Sequence, residues 1–309
     1  MSKSKDKPVA RALRRFVVLA LLILAALCAA PRANAQSQYP WMRLPPTPSL
    51  PAAIETGVAP VNGIRLWYAV FGHGRPVILL HGGLANSNYW GLQVRALEGR
   101  YRVIVLDSRG HGRSTRTSTP ISYDLMASDV VALMDYLHIR RAAIVGWSDG
   151  AITGLDIAIH HPKRVTRLFA FAANSDPSGV KDVSKSPVFM AFIARATKEY
   201  RRLSPTPNGF KAFRADIEKM WATQPHFTGA QLRAIEVPVW IVDADHDEAI
   251  KRENTDYMAS QIPGAGELIL PDTSHFAFLQ DSVMFNDALL HFLAKQPPSR
   301  LGAKLAHPE

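Results

Sequence analysis

Short, nearly unbroken apolar runs limit this chain's fold more than any other feature. They lie at Val77–Leu80, Val103–Leu106, Ala143–Val145, Leu168–Ala172, Val237–Val242 and Leu268–Leu270. A strand with one face in water alternates apolar and polar residues, whereas an unbroken run needs cover on both faces, as in a parallel sheet. Helical patterns stand between the runs. In 122–138, Met126, Val130, Leu133, Met134 and Leu137 share one helical face behind Ser122, a candidate N-cap. In 281–294, Phe285, Leu289, Phe292 and Leu293 do the same. Alternating strands and helices predict an α/β chain with a mostly parallel, doubly wound sheet. Asn62-Gly63, between 58–61 and 64–71, predicts an antiparallel hairpin at its start. From about 180 to 235 no strand pattern occurs. The helical stretches there carry Phe189, Phe192, Tyr200, Phe210, Phe213, Trp221 and Phe227. An inserted helical cap is expected, with some of these rings lining a pocket beneath it.

The two ends read differently. Lys3, Lys5, Lys7, Arg11, Arg14 and Arg15 precede an uncharged stretch, 16–30, and Ala33-Asn34-Ala35 follows. That order predicts a secretory signal peptide over 1–35, cleaved before Gln36, and an exported, periplasmic or extracellular protein. The stretch is shorter than the roughly 20 residues a membrane span needs, so no stable anchor is expected. The single cysteine, Cys28, would leave with the signal, so the exported chain would hold its fold without disulfides. The formal charge of +10 shrinks as well. Removing the segment's 7 basic and 1 acidic residues from totals of 36 and 26 leaves 29 and 25, or +4. With no basic run, nucleic acid is not an expected partner. Pro40, Pro45, Pro46, Pro48 and Pro51 make 36–56 an expected linker, and 296–309 an expected flexible tail. The folded body is expected over 57–295, with the cap at about 180–235.

Candidate chemistry begins at "GWSDG", 146–150, which follows one apolar run and precedes a helical stretch. A serine on a sharp strand-to-helix turn, flanked by glycines, is a candidate nucleophile: Ser148. It requires a base and an orienting acid on loops after later strands. The loop "PDTSHFAF" offers one histidine, His275. The loop "DADHDEAI" offers Asp243, Asp245 and Asp247, and Asp247 sits furthest into it, within reach of His275. The same acids do not make a calcium loop, because its sixth and twelfth positions would be Glu248 and Asn254. No metal or cofactor is expected. "HGG" at 81–83 follows the Val77–Leu80 run, so the amides of Gly83 and Asp149 are the candidate oxyanion hole, with His81 holding the loop. Candidate substrate contacts are Asp149, Leu84, Trp147, Phe189, Phe192 and Trp221. Asp149 has two readings: an acid placed along the start of a helix, or a carboxylate facing the pocket.

From about Gly57 to Ala294 these motifs, with "DSRGHGRS" at 107–114, resemble the α/β-hydrolase superfamily in kind and order. The resemblance implies a small-molecule ester as substrate, cleaved through an acyl-enzyme, and a structural role for Asp107 and His111. Ser148 in place of an aspartate separates the chain from epoxide hydrolases and haloalkane dehalogenases. "GWSDG" with "ITGLDIAIHHP" is most similar to the biphenyl-hydrolase-like branch, in which the acid after the nucleophile binds a substrate's α-amino group. An α-aminoacyl ester or amide hydrolase and a C–C bond hydrolase are therefore the rival activities. A silent scaffold that only binds a ligand is the rival from outside catalysis.

Overall fold

The computed structural model describes residues 39–295. The expected signal peptide over 1–35 and the expected tail over 296–309 lie outside the described residues. Among the described residues no helix is long and apolar enough to cross a membrane.

Eight strands form one sheet: β1 (Glu55–Val61), β2 (Ile64–Phe71), β3 (Arg75–Leu80), β4 (Tyr101–Leu106), β5 (Ala142–Trp147), β6 (Val165–Phe171), β7 (Val239–Ala244) and β8 (Gly266–Leu270). Their spatial order is β1-β2-β4-β3-β5-β6-β7-β8. β1 and β2 make the hairpin that Asn62-Gly63 predicts, with Val61 opposite Ile64. β2 also runs antiparallel to β4, and every later pairing is parallel. All six residues of β5 are buried, which is the double-sided cover that unbroken apolar runs require.

The helices between strands are α1 (Gly91–Leu97), α2 (Tyr123–Tyr136) and α3 (Asp149–His160), and later α7 (Arg252–Gln261); α8 (Ala277–Gln280) and α9 (Ser282–Ala294) follow β8. Ser122 caps α2 by accepting from the Leu125 amide. Between β6 and β7 the chain runs through α4 (Pro187–Leu203), α5 (Phe210–Thr223) and α6 (Gly229–Arg233). Short 3-10 turns connect them. α4 begins at Pro187 with Ser186 as its cap, accepting from the Phe189 amide.

The proline-rich stretch corrects the expectation of a linker. Pro40–Met42 is a short 3-10 turn, and Leu44, Leu50 and Ala53 pack against the core. Pro fixes φ but leaves each carbonyl free to accept. Arg195 of α4 uses that freedom, donating to the carbonyls of Pro45 and Leu44 at 2.5 and 3.0 Å. Residues 40–54 are a strap laid on the body.

A very tight backbone contact lies where α3 leaves β5. A Cβ on Gly150 would stand 2.1 Å from the Leu80 carbonyl oxygen, and one on Gly146 would stand 2.4 Å from Ala151. Both neighbours are backbone, so no side-chain rotation relieves the clash. Gly150→Ala is expected to cost about 1–3 kcal/mol, as overpacking of a tight core does. Urea denaturation measures it, and an unchanged midpoint would mean that the turn is looser than its contacts indicate.

Candidate active site

Ser148 sits on the turn between β5 and α3 with φ 54° and ψ −121°. A serine rarely adopts a positive φ, and the two glycine contacts described above hold it there. Its amide is used by the Phe171 carbonyl at 2.9 Å, while its hydroxyl makes no capping bond to α3. The side chain is half-buried and lines a cavity of about 70 Å³.

His275 lines the same cavity from the loop after β8. Its Nδ1 donates to Asp247 Oδ2 at 2.8 Å, and both side chains are almost wholly buried. With Nδ1 protonated, Nε2 carries the basic lone pair. The other oxygen of Asp247 accepts from the amides of Ala249 at 2.6 Å and Ile250 at 2.8 Å. Burial alone would raise the Asp247 pKa. The charge and hydrogen bond of His275, with the Ile250 amide, hold it below the usual value instead. Burial would lower His275, but the Asp247 charge and hydrogen bond outweigh it, helped by Glu248 and Asp149, and the net shift is upward.

The competing acids fall elsewhere. Asp243 is buried beside Thr255, whose hydroxyl donates to it at 2.8 Å, and burial plus the Asp247 charge push its carboxyl well up. Asp245 accepts from the amides of Asp272 and Thr273 and shapes the loop. It forms an exposed cluster with His246 and Asp272.

Gly83 lies against Asp149: a Cβ there would stand 2.4 Å from its Oδ2 and 2.6 Å from the Trp221 ring. Only glycine fits, which brings loop backbone to the cavity wall. The loop's turn closes from Ala85 N to Gly82 O, a bond that does not consume the Gly83 amide. The Asp149 amide is the first of α3 and has no intrahelical acceptor. His81 donates from Nδ1 to Gly82 O at 2.8 Å and accepts at Nε2 from Ser108 N at 2.9 Å. Both nitrogens are committed, and burial lowers its pKa, so it is a neutral brace.

Of the two readings of Asp149, the structure has the side chain in the cavity. Tyr123 donates its hydroxyl to Oδ1 at 2.9 Å, and Trp221 Nε1 donates to both oxygens at 2.8 and 3.0 Å. The group is 4 % exposed, and burial raises its pKa to about 6 against the opposing pull of those donors. Phe189 and Trp221 also line the cavity.

Leu84, Trp147 and Phe192 do not line it, contrary to expectation. Trp147 packs among Tyr89, Phe192, Phe276 and Phe278, and Phe192 continues that cluster. Adjacent residues on a strand-to-turn junction face opposite ways, so the neighbour of Ser148, whose side chain faces the cavity, is a core ring. Leu84 is buried too, with φ 61°. Sequence reasoning missed Tyr123, Asn174, Val180, Val183, Gln224, Ala249 and Ile250, which complete the lining. They come from separate segments, with no pattern linking them.

Known proteins share this fold. The family described as alpha/beta hydrolase fold matches residues 75–189. RutD of Caulobacter sp. (strain K31), provisionally named a carbamate hydrolase, is 29% identical over 244 residues, 71% of this chain and 91% of the relative. Human serine hydrolase BPHL is 26% identical over 274 residues, 81% of this chain and 90% of the relative. A solved enzyme described as degrading N-acyl homoserine lactones has a TM-score of 0.61 at 26% identity, covering 77% of this chain and all of that one. The chain has the α/β-hydrolase fold. Its sheet order, with β2 alone reversed against β4, is the frame on which this hydrolase carries Ser148, Asp247 and His275 together.

Two outcomes follow for the hydrolase. Asp247→Asn is expected to lower kcat on the order of 10⁴-fold, because the amide cannot hold Nδ1 protonated as a carboxylate does; steady-state kinetics on any turned-over ester measures it. The base must be neutral to act, so activity rises with pH through the raised pKa of His275. Asp149→Asn removes a negative charge that favours imidazolium, so the acid limb of kcat/KM is expected to move to lower pH. An upward move would contradict this electrostatic account.

Proposed function

We propose that this protein is an exported serine hydrolase that cleaves carboxylic esters of small to medium substrates through an acyl-enzyme. The observation that carries the reading is the buried Nδ1-to-Oδ2 bond of 2.8 Å, which leaves His275 Nε2 basic in the cavity that Ser148 lines. Ser148 Oγ attacks the ester carbonyl while Nε2 takes its proton. The Gly83 and Asp149 amides receive the oxyanion, and the protonated imidazole then gives its proton to the leaving alkoxide. Water deprotonated by the same nitrogen attacks the acyl-enzyme, releasing the acid and restoring Ser148. The name of human BPHL, a serine hydrolase, supports the reading. Export rests on the segment order of residues 1–35.

A fluorophosphonate probe should label the purified protein at Ser148 and leave Ser148→Ala unlabelled; labelling equal in both would refute the assignment. The cavity is small, about 70 Å³, so short acyl chains are expected to be preferred. Phe189→Ala should extend activity to longer p-nitrophenyl esters. Phe192→Ala should leave the ranking intact and lower stability by about 3–5 kcal/mol.

Asp149 supports a second reading, an α-aminoacyl ester as substrate. Its carboxylate is buried with two neutral donors, and the cavity lining includes no Lys or Arg. A substrate ammonium would supply the missing cation. Pairing needs Asp149 ionised, above about pH 6, and the amine protonated, below about 7.7. kcat/KM for an aminoacyl ester should therefore fall on both sides of that window. The matching ester without the amine should keep its rate on the alkaline side. Identical profiles for the two esters would rule this reading out.

A further inference from the structure

We propose that strap residues 40–47 are a positioning element of the catalytic site, acting through Gln280 and His246 on the loops that carry His275 and Asp247. The proposal rests on the serine-hydrolase reading.

Gln280, in α8, joins the strap to the residue before the base. Its Oε1 accepts from Ser274 N at 2.7 Å, and its Nε2 donates to Ser274 Oγ at 3.0 Å. The same nitrogen donates to the carbonyls of Arg43 at 2.8 Å and Trp41 at 3.2 Å. Ser274 therefore cannot shift without pulling on the strap. On the acid side, the Trp41 indole stacks on the His246 ring, with centroids 3.9 Å apart and planes 8° from parallel. His246 precedes Asp247, and its amide donates to Thr273 O at 3.1 Å, tying the acid loop to the base loop.

The strap's other end holds the cap. Thr47 donates its hydroxyl to Glu199 Oε1 at 2.6 Å, and Asn86, beyond the Gly83 loop, donates to Oε2 at 3.0 Å. With Arg195 on the carbonyls of Leu44 and Pro45, α4 is fixed against both strap and oxyanion loop. One short segment thus fastens the base loop, the acid loop and the cap helix that bears Phe189. Catalysis is steep in geometry, since a misplacement of about 1 Å costs on the order of 100-fold. Loosening the strap is expected to act on kcat through the His275–Asp247 pair.

The test uses the full chain with Trp41→Ala, Gln280→Ala and Gln280→Glu. It reads kcat and KM on a short p-nitrophenyl ester, and the His275 imidazole titration by NMR. Gln280→Ala should lower kcat roughly 10- to 100-fold, with KM little changed, and bring the His275 titration down towards its ordinary value of about 6.5. Gln280→Glu keeps an acceptor for Ser274 N but cannot donate to the strap carbonyls, so it should fall between Gln280→Ala and the parent. Trp41→Ala should move both readouts in the same direction. A parent-like kcat and titration in Gln280→Ala would overturn the proposal. So would a kcat loss matched by the lost fraction of fluorophosphonate-reactive sites with the titration unmoved, since that pattern is only unfolding. A parent protein inert to probe and esters would sink the serine-hydrolase reading instead, and the His275 titration would still decide the strap's role.

Discussion

The site depends on a backbone contact that no side chain makes. Where α3 leaves β5, Gly150 lies against the Leu80 carbonyl and Gly146 against Ala151, with no space for a Cβ at either. This forces Ser148 into a left-handed conformation and lifts it out of the sheet. It also points the first amides of α3 at the cavity and brings the Gly82-Gly83 loop, which follows Leu80, against the turn. Ser148, the start of α3 and the Gly82-Gly83 loop therefore share one constraint. A strained turn of this kind persists only where its surroundings overdetermine it, and the fully buried β5 supplies that rigidity.

Charge in the site is distributed by burial as much as by pairing. His275 and Asp247 compensate each other, so each keeps its charge-favouring shift although both are buried. Asp149, beside the Gly83 loop, has only neutral donors, and its carboxyl climbs to about 6. A negative charge there opposes an oxyanion and favours a cation. The two effects are separable if the Asp149 amide serves the oxyanion as proposed, because its carboxylate is turned to Tyr123 and Trp221.

What could be read from the residues alone is what local pattern controls. Unbroken apolar runs marked the buried strands, and the Asn62-Gly63 pair marked the hairpin. The glycines around Ser148 and the single histidine in 271–278 are likewise local signals. What could not be read depends on distance in space. Tyr123 meets Asp149 from the start of another helix, and Gln224 reaches the cavity from beyond α5. Trp147 and Phe192 looked like pocket rings because aromatic character does not say which way a ring points. The strap was hidden by its prolines, which suggest an unattached chain until the carbonyls between them find Arg195 and Gln280.

The docking of that strap has a consequence for the order of assembly. Trp41 and Gln280, which it joins, are 239 residues apart, so the contact waits until nearly the whole chain exists. The hairpin and β3–β5 can pair from neighbouring sequence, but closure of so long a loop comes late in folding. The earliest described residues to leave the ribosome are thus among the last to find their place. A growing chain therefore carries its Ser148 turn long before its His275 loop is braced.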